Sequence, residues 1–188
     1  VWKEQMKIFC VNAMGDPNSE EFLENASKLI MHLETLNKKT LVLTTSYDQI
    51  NFLKARLKGK HYHFQKKEDT GEIIFEKFKA GKAGILVGTS RFWEGIDLPG
   101  ELLEIIVILK MPFAVPDDPV VKKRNLYFEM RNLNPFMEYT LPSAILRLKQ
   151  GVGRLIRKRT DTGQVYILDE RILKKKYGYK VIDNLFVK

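Results

Sequence analysis

The sequence predicts a three-layer α/β domain, with a mostly parallel central sheet flanked on both faces by helices. Short apolar runs, Thr40 to Thr44 (TLVLT), Ala83 to Val87 (AGILV) and Leu103 to Leu109 (LEIIVIL), have the composition of strands buried on both faces. Between such runs lie stretches with apolar residues three and four apart, long enough for the crossover helices that parallel strands require. The 188 residues, 44% of them hydrophobic, suffice for one domain around one sizeable core.

Taken in order, Lys7 to Val11 reads as a short strand. After the Gly15-Asp16-Pro17 turn, Asn18 with Glu21 three residues on has the form of a capping box, followed by a helical stripe of Phe22, Ala26, Leu29, Ile30, Leu33 and Leu36. Thr40 to Thr44 is the next strand; Ser46 then caps a helix that turns Tyr47, Ile50, Leu53 and Leu57 inward. His61 to Phe64 is a strand, Gly71 to Lys79 a helix, and Ala83 to Val87 a strand that runs into a loop. Leu103 to Leu109 is the most apolar strand, and the proline-rich segment Met111 to Pro119 must be an ordered connection. Val120 to Arg131 forms a helix, Leu141 to Arg157 a longer one starting near Pro142, and Gln164 to Leu168 (QVYIL) returns to the sheet. We expect one domain over residues 1–188, with a helical insertion beside the sheet near 120–141 and no internal repeat or linker to divide it. Because it begins at Val1 and not at methionine, the chain is read as a fragment.

Lysine and arginine number 32 against 23 acidic residues, a formal net charge of +9 that favours polyanionic partners, nucleic acid or nucleotide phosphates. Cys10 is the single cysteine, which excludes an internal disulfide, an iron–sulfur cluster and a zinc ribbon and fits a reducing, cytoplasmic setting. The aliphatic run Ile105 to Leu109 is far too short to span a bilayer, and no apolar signal region opens the chain, so no membrane partner is expected. His32, His61 and His63 have no metal-ligand company, and no metal site is expected.

Ligands of parallel sheets gather beyond the carboxyl ends of the strands, and the sequence is informative at several such places. The segment QGVGRLIRKR, Gln150 to Arg159, would, if helical, set Gln150, Arg154 and Arg157 on one face at i, i+4 and i+7. Gly151 and Gly153 beside that face each cost roughly 1 kcal/mol in a helix interior, which suggests a close approach to the backbone. Two guanidinium forks and an amide suit a phosphate chain; a basic solvated face is the structural alternative. Thr45 and Ser46 after TLVLT offer hydroxyls at a helix N-terminus, where an ordinary N-cap is the simpler account. Gly88 to Gly100 (GTSRFWEGIDLPG) is denser than a connector needs: Thr89 and Ser90 could hold a phosphate, Gly95 admit a nucleotide and Asp97 accept from a ribose hydroxyl, while Phe92 and Trp93 could instead be buried anchors and Asp97 a turn former. Asp169-Glu170 has the strand-then-acid look of a magnesium site, but no G-x-x-x-x-G-K-[ST] exists: the residue five before Gly81 is Glu76, and Lys82 is followed by Ala83. Asp169 is therefore expected to pair with a nearby arginine or to cap the next helix. A dinucleotide fingerprint fails too, since Ile156 stands where a third glycine is required after Gly151-Val152-Gly153.

These segments together resemble superfamily 2 helicases, and within them the DinG/XPD-like group, more closely the bacterial DinG proteins. GTSRFWEGIDLPG resembles that family's motif V, QGVGRLIR its motif VI and LVLTTSY its motif IV; the likeness runs on through KMPFAVPDDP, NPFMEYTLPSAILRLKQ and VYILDERILKKKYG, from Lys3 to about Gly178 in the family's order. The resemblance implies a second RecA-like motor domain, the half that closes over ATP bound to an N-terminal motor half. By matching positions, Gln150, Arg154 and Arg157 would face the ATP phosphates, Arg157 as the arginine finger, with Gly95, Asp97 and Gly153 beside the nucleotide. Thr45, Ser46, Thr89 and Ser90 would contact the backbone of single-stranded DNA, RNA being compatible as well, and Trp93 with Glu94 would link that track to the ATP cleft. Arg91 departs from the small or polar residue expected there. The P-loop, the magnesium ligands and any iron–sulfur domain would belong to the other half.

The resemblance thus implies the C-terminal half of an ATP-dependent DNA helicase, inactive by itself. The rival it also allows is the nucleic-acid-binding, ATP-regulated part of a DinG-type 3′-5′ single-strand exonuclease without helicase activity. A stand-alone nucleotide-binding domain would need a P-loop of its own.

Overall fold

A computed structural model describes residues 5–67, 72–89, 103–153, 155–156 and 161–185. Its centre is a six-stranded sheet built from β1 (Met6–Cys10), β2 (Lys39–Thr44), β3 (Tyr62–Phe64), β4 (Gly84–Thr89), β5 (Ile105–Ile108) and β6 (Gly163–Ile167). The order across the sheet is β1-β6-β5-β2-β4-β3, and every described pairing is parallel. The chain thus reverses its direction of travel around β2: it leaves for β4 and β3, then returns to β5 on the other side, creating a switch point between β2 and β5.

Strand side chains alternate between two cores, as a period of two demands. Val42, Ile85, Val87, Ile105 and Val107 face α1 (Glu20–Glu34) and α2 (Tyr47–Arg56), which bring Phe22, Ala26, Ile30, Leu33, Ile50 and Leu53. Leu41, Leu43, Leu86, Ile106, Ile108, Val165 and Ile167 face the opposite layer, made by α3 (Glu72–Ala80), α5 (Leu141–Val152) and α7 (Gly178–Leu185). The short α6 (Arg171–Lys174) adds Ile172 to that second core. This is the expected three-layer arrangement, and the helices lie where right-handed parallel crossovers put them.

Three local expectations shift. Ser19, not Asn18, caps α1: its Oγ accepts from Phe22 N at 3.1 Å, while Asn18 receives Lys110 Nζ on its Oδ1 at 3.1 Å. In the 120–141 region, α4 (Pro119–Glu129) starts on an Asp118 cap with Pro119 in its first turn, and a π-helical turn (Phe136–Thr140) leads straight into α5. Val121 is the buried residue of α4, and Leu126, Tyr127 and Met130 stand exposed, which is why this helix carries so little apolar periodicity. Finally, α5 stops at Val152 and not at Arg157. Among the described residues no helix is long and apolar enough to cross a membrane.

Candidate functional site

The register Thr44↔Thr89 sets the ends of β2 and β4 side by side at the carboxyl edge of the sheet. There the structure repeats one device twice. Thr45 donates both its backbone N–H (2.9 Å) and its hydroxyl (3.3 Å) to Gln49 Oε1, and Thr89 donates its N–H (2.8 Å) and hydroxyl (3.2 Å) to Gln65 Oε1. The backbone donors leave no choice about which amide atom faces them, so each threonine hydroxyl must give its only proton to a glutamine carbonyl. Gln49 and Gln65 are both buried, and Gln65 Nε2 goes on to donate to the Tyr47 hydroxyl at 3.0 Å. Ser46 differs: its Oγ accepts from Gln49 N at 3.4 Å as the N-cap of α2, and its proton meets no acceptor among the described residues.

Of the residues expected to contact a strand, Thr45, Ser46 and Thr89 lie at the ends of the neighbouring strands β2 and β4, with unequal chemistry. Ser46 can donate to an anion as it stands, beside the first N–H groups of a ten-residue helix. Thr45 is exposed and presents lone pairs; Thr89 is 8% exposed and is first of all the anchor of β4 to Gln65. Ser90, Trp93, Gly95 and Asp97, with Arg91 and Glu94, lie outside the described residues.

The chain after α5 leads on to the start of β6. A crossover helix runs antiparallel to its strands, so α5 descends from the carboxyl edge, where Leu148 and Arg147 approach Thr44 and Lys110, towards the amino end of β6. Beyond the helix, Leu155 is fully buried directly against Gly163, the first residue of β6. Gln150 is exposed in the last turn of α5, and Gly153 is its half-buried cap, donating to Lys149 O at 2.8 Å. The helix ends at Val152, and Arg154 and Arg157 lie outside the described residues. The two glycines weaken the helix, and the burial of Leu155 and Ile156 draws the chain into the second core.

Asp169 is buried at the end of β6 and fully engaged. Its Oδ1 accepts from Arg171 N (3.2 Å) and Nε (2.7 Å), its Oδ2 from Arg171 Nη2 (2.6 Å) and Met111 N (2.9 Å). Of the two expected roles it takes the pairing with an arginine, the N-cap of α6 being Glu170, and both of its oxygens are taken up by donors that a cation would have to displace. Hydrogen bonding to Asp169 holds the Arg171 guanidinium above its usual pKa. Burial, reinforced by the Arg171 charge, pushes Lys110 below the usual lysine range. Lys110 lines a narrow cleft at the β2/β5 switch point with Thr45, Pro112 and Arg147, whose Nη1 donates to Pro112 O at 3.4 Å.

Sequence reasoning missed Gln49, Gln65, Lys110 and Arg147. A glutamine four residues after Thr45 is an ordinary helix residue by pattern; Gln65 stands right after a strand, the one signal available for it.

Residues 29–187 match the family described as "Helicase C-terminal domain". Among curated relatives, the chain is similar to the ATP-dependent DNA helicase DinG of Photobacterium profundum, 38% identical over 179 residues that make up 90% of this chain and 26% of that protein. It is similar to the ATP-dependent DNA helicase YoaA of Haemophilus influenzae, 33% identical over 186 residues, 96% of this chain and 29% of the relative. A third is the 3′-5′ exonuclease DinG of Bacillus subtilis, 31% identical over 195 residues, with 98% and 21% covered. The chain thus spans less than a third of the length of each. A solved apo XPD structure superposes over 98% of this chain and 39% of its own, with a TM-score of 0.75 at 20% identity, a likeness of fold. With the family's pattern running from α1 to the C-terminal end and the RecA-like sheet beneath it, the chain belongs to the helicase C-terminal domain family, as a DinG-like member.

Proposed function

We propose that this chain is the C-terminal motor half of an ATP-dependent DNA helicase of the DinG type. It closes with an N-terminal motor half over ATP and grips single-stranded DNA along its carboxyl edge. The observation that carries the reading is the paired edge of β2 and β4, where the Thr45–Gln49 and Thr89–Gln65 pairs hold Ser46 and the α2 N-terminus open towards an anion. In this reading Ser46 donates to a backbone phosphate, while Thr45 and Thr89 contribute when their hydroxyls rotate away from glutamine. Ser90 and Trp93 extend that contact. Gln150, Arg154 and Arg157 face the ATP phosphates, with Gly95, Asp97 and Gly153 beside the nucleotide and Arg157 stabilising charge on the γ-phosphate as it is transferred.

Magnesium would accompany the ATP. Asp169 does not suit it, because Arg171 and Met111 already occupy its lone pairs, and we assign the magnesium ligands to the N-terminal half. No iron–sulfur cluster is assigned to this chain, whose single cysteine is Cys10. The test is DNA-stimulated ATP hydrolysis by this chain alone and by the full-length parent. The parent should turn over and this chain should not, since it lacks a phosphate cradle; turnover by the chain alone would overturn the reading. A second reading is supported by the likeness to the Bacillus subtilis relative named a 3′-5′ exonuclease. There the same edge would hold the strand for an exonuclease, and ATP would change the nuclease rate of the parent without strand separation.

A further inference from the structure

A second cleft, of about 540 Å³, opens beside the paired edge, between α2 and the residues that follow β3. That volume is within the range of ligand-holding clefts, roughly 300–1,000 Å³. One wall is a single face of α2, carrying Tyr47, Asn51 and Lys54 at i, i+4 and i+7; the other is Lys66 and Lys67, directly after Gln65. We propose that this cleft holds backbone phosphates of single-stranded nucleic acid, continuing outward from Ser46 and Thr89. The inference rests on the nucleic-acid role proposed above and adds a second stretch of track to it.

Three features point there. Lys54, Lys66 and Lys67 bring three positive charges to one cleft, none of which is within ion-pairing distance of a carboxylate among the described residues. Glu68 and Asp69, next in sequence, lie outside the described residues. Ammonium groups unpaired on a concave wall suit a polyanion that threads past them, whereas a purely structural lysine needs no such arrangement. Second, the cleft is joined to the paired edge by hydrogen bonds: Gln65 takes Thr89 on its carbonyl and gives its N–H to the Tyr47 hydroxyl, so both walls are fixed relative to the end of β4. β2, β4 and β3 are adjacent, at about 4.8 Å each, so a strand crossing Ser46 and Thr89 reaches Lys66 within roughly 10 Å. Third, Tyr47 is among the residues lining the cleft with the lysines, and an aromatic side chain next to a basic groove is a combination that holds single strands without regard to sequence.

The experiment measures binding of a fluorescein-labelled oligo-dT to this chain by anisotropy across a salt series. Every phosphate deprived of its ammonium partner should lower the slope of log K against log salt by about 0.7 for single strands. The triple variant Lys54→Gln, Lys66→Gln, Lys67→Gln should therefore lose about 2 from that slope and bind at least 10-fold more weakly at low salt. A control triple, Lys58→Gln, Lys60→Gln, Lys82→Gln, removes equal charge from exposed positions at the amino edge of the sheet and should leave the slope unchanged. Far-UV circular dichroism checks that both fold. If the unsubstituted chain binds and the two triples have equal slopes, the cleft assignment falls while the paired-edge reading stands. If the unsubstituted chain binds no oligonucleotide at any salt, both fall. If the cleft variant loses binding of inorganic triphosphate yet keeps the oligonucleotide affinity and slope of the unsubstituted chain, the cleft is a free-polyphosphate site and the strand assignment is overturned.

Discussion

Gly163→Ala probes the contact between the start of β6 and Leu155, in the segment proposed to face the nucleotide. A β-carbon at Gly163 would stand 2.3 Å from Leu155 Cγ, 2.4 Å from Cδ2 and 2.7 Å from Cδ1. Carbons in contact rest at about 3.5–4.0 Å, so the leucine must retreat by roughly 1 Å. It has no room to do so, being fully buried in the second core. Overpacking of this kind costs about 1–3 kcal/mol, and for a chain of this size each kcal/mol lowers Tm by about 2–4 °C, giving a fall of roughly 2–12 °C. Leu155→Ala alone should cost about 2–5 kcal/mol through the cavity it leaves. In the double variant the new methyl faces that vacated space, the clash disappears, and the loss should be smaller than the sum of the singles by about 1–3 kcal/mol. Urea titrations of the four proteins measure this. Additivity to within about 0.5 kcal/mol, or no loss in Gly163→Ala, would refute the close contact. Because Leu155 sits between Arg154 and Arg157 in sequence, Gly163→Ala in the full-length parent should also lower ATP turnover per folded molecule.

In the parent, Arg157→Ala should cut DNA-stimulated turnover by about 10³ to 10⁵ with nucleotide affinity and Tm nearly unchanged, and Arg157→Lys should fail almost as badly, because an ammonium cannot reproduce the planar fork. A sharp fall in Tm with turnover per folded molecule intact would make Arg157 a structural residue. Asp169→Asn sets an amide N–H₂ against donors from Arg171 and Met111, and since Arg171 is partly exposed we expect a loss of about 2–3 kcal/mol in urea titrations; an unchanged midpoint would show those bonds to be dispensable. Burial first, then the charges of Lys77 and His61, push His63 below its usual pKa of 6.5. The unfolded chain then binds the proton more readily, so the contribution of His63 to stability is complete above about pH 6.5 and falls as pH drops through the lower folded pKa. Melts between pH 8 and 5 should decline less for His63→Asn than for the parent; parallel declines would contradict the assignment.

The sequence by itself determined the class of fold and most of its elements. Runs such as TLVLT and LEIIVIL can be satisfied only between two helical layers, and the apolar spacing of α1 and α5 selects the faces those helices bury. It also pointed to an arginine pair or a helix cap for Asp169, and Arg171, two residues on, supplies the pair, while the bond from Met111 N comes from a distant part of the chain. Only the tertiary structure decided which strand ends are neighbours. The order β5-β2-β4-β3 comes from long-range packing, and it alone puts Thr89 beside Thr44, makes Gln65 the bridge from Thr89 to Tyr47, and gathers Lys54, Lys66 and Lys67 on one cleft. The early end of α5 was likewise beyond local reasoning. Periodicity continues through Leu155 and Ile156, and what ends the helix is the pull of those two side chains into a core completed by β6, a strand that follows them in the chain. Local pattern reports what each residue wants to bury; the place where it can do so is set by elements far away in sequence.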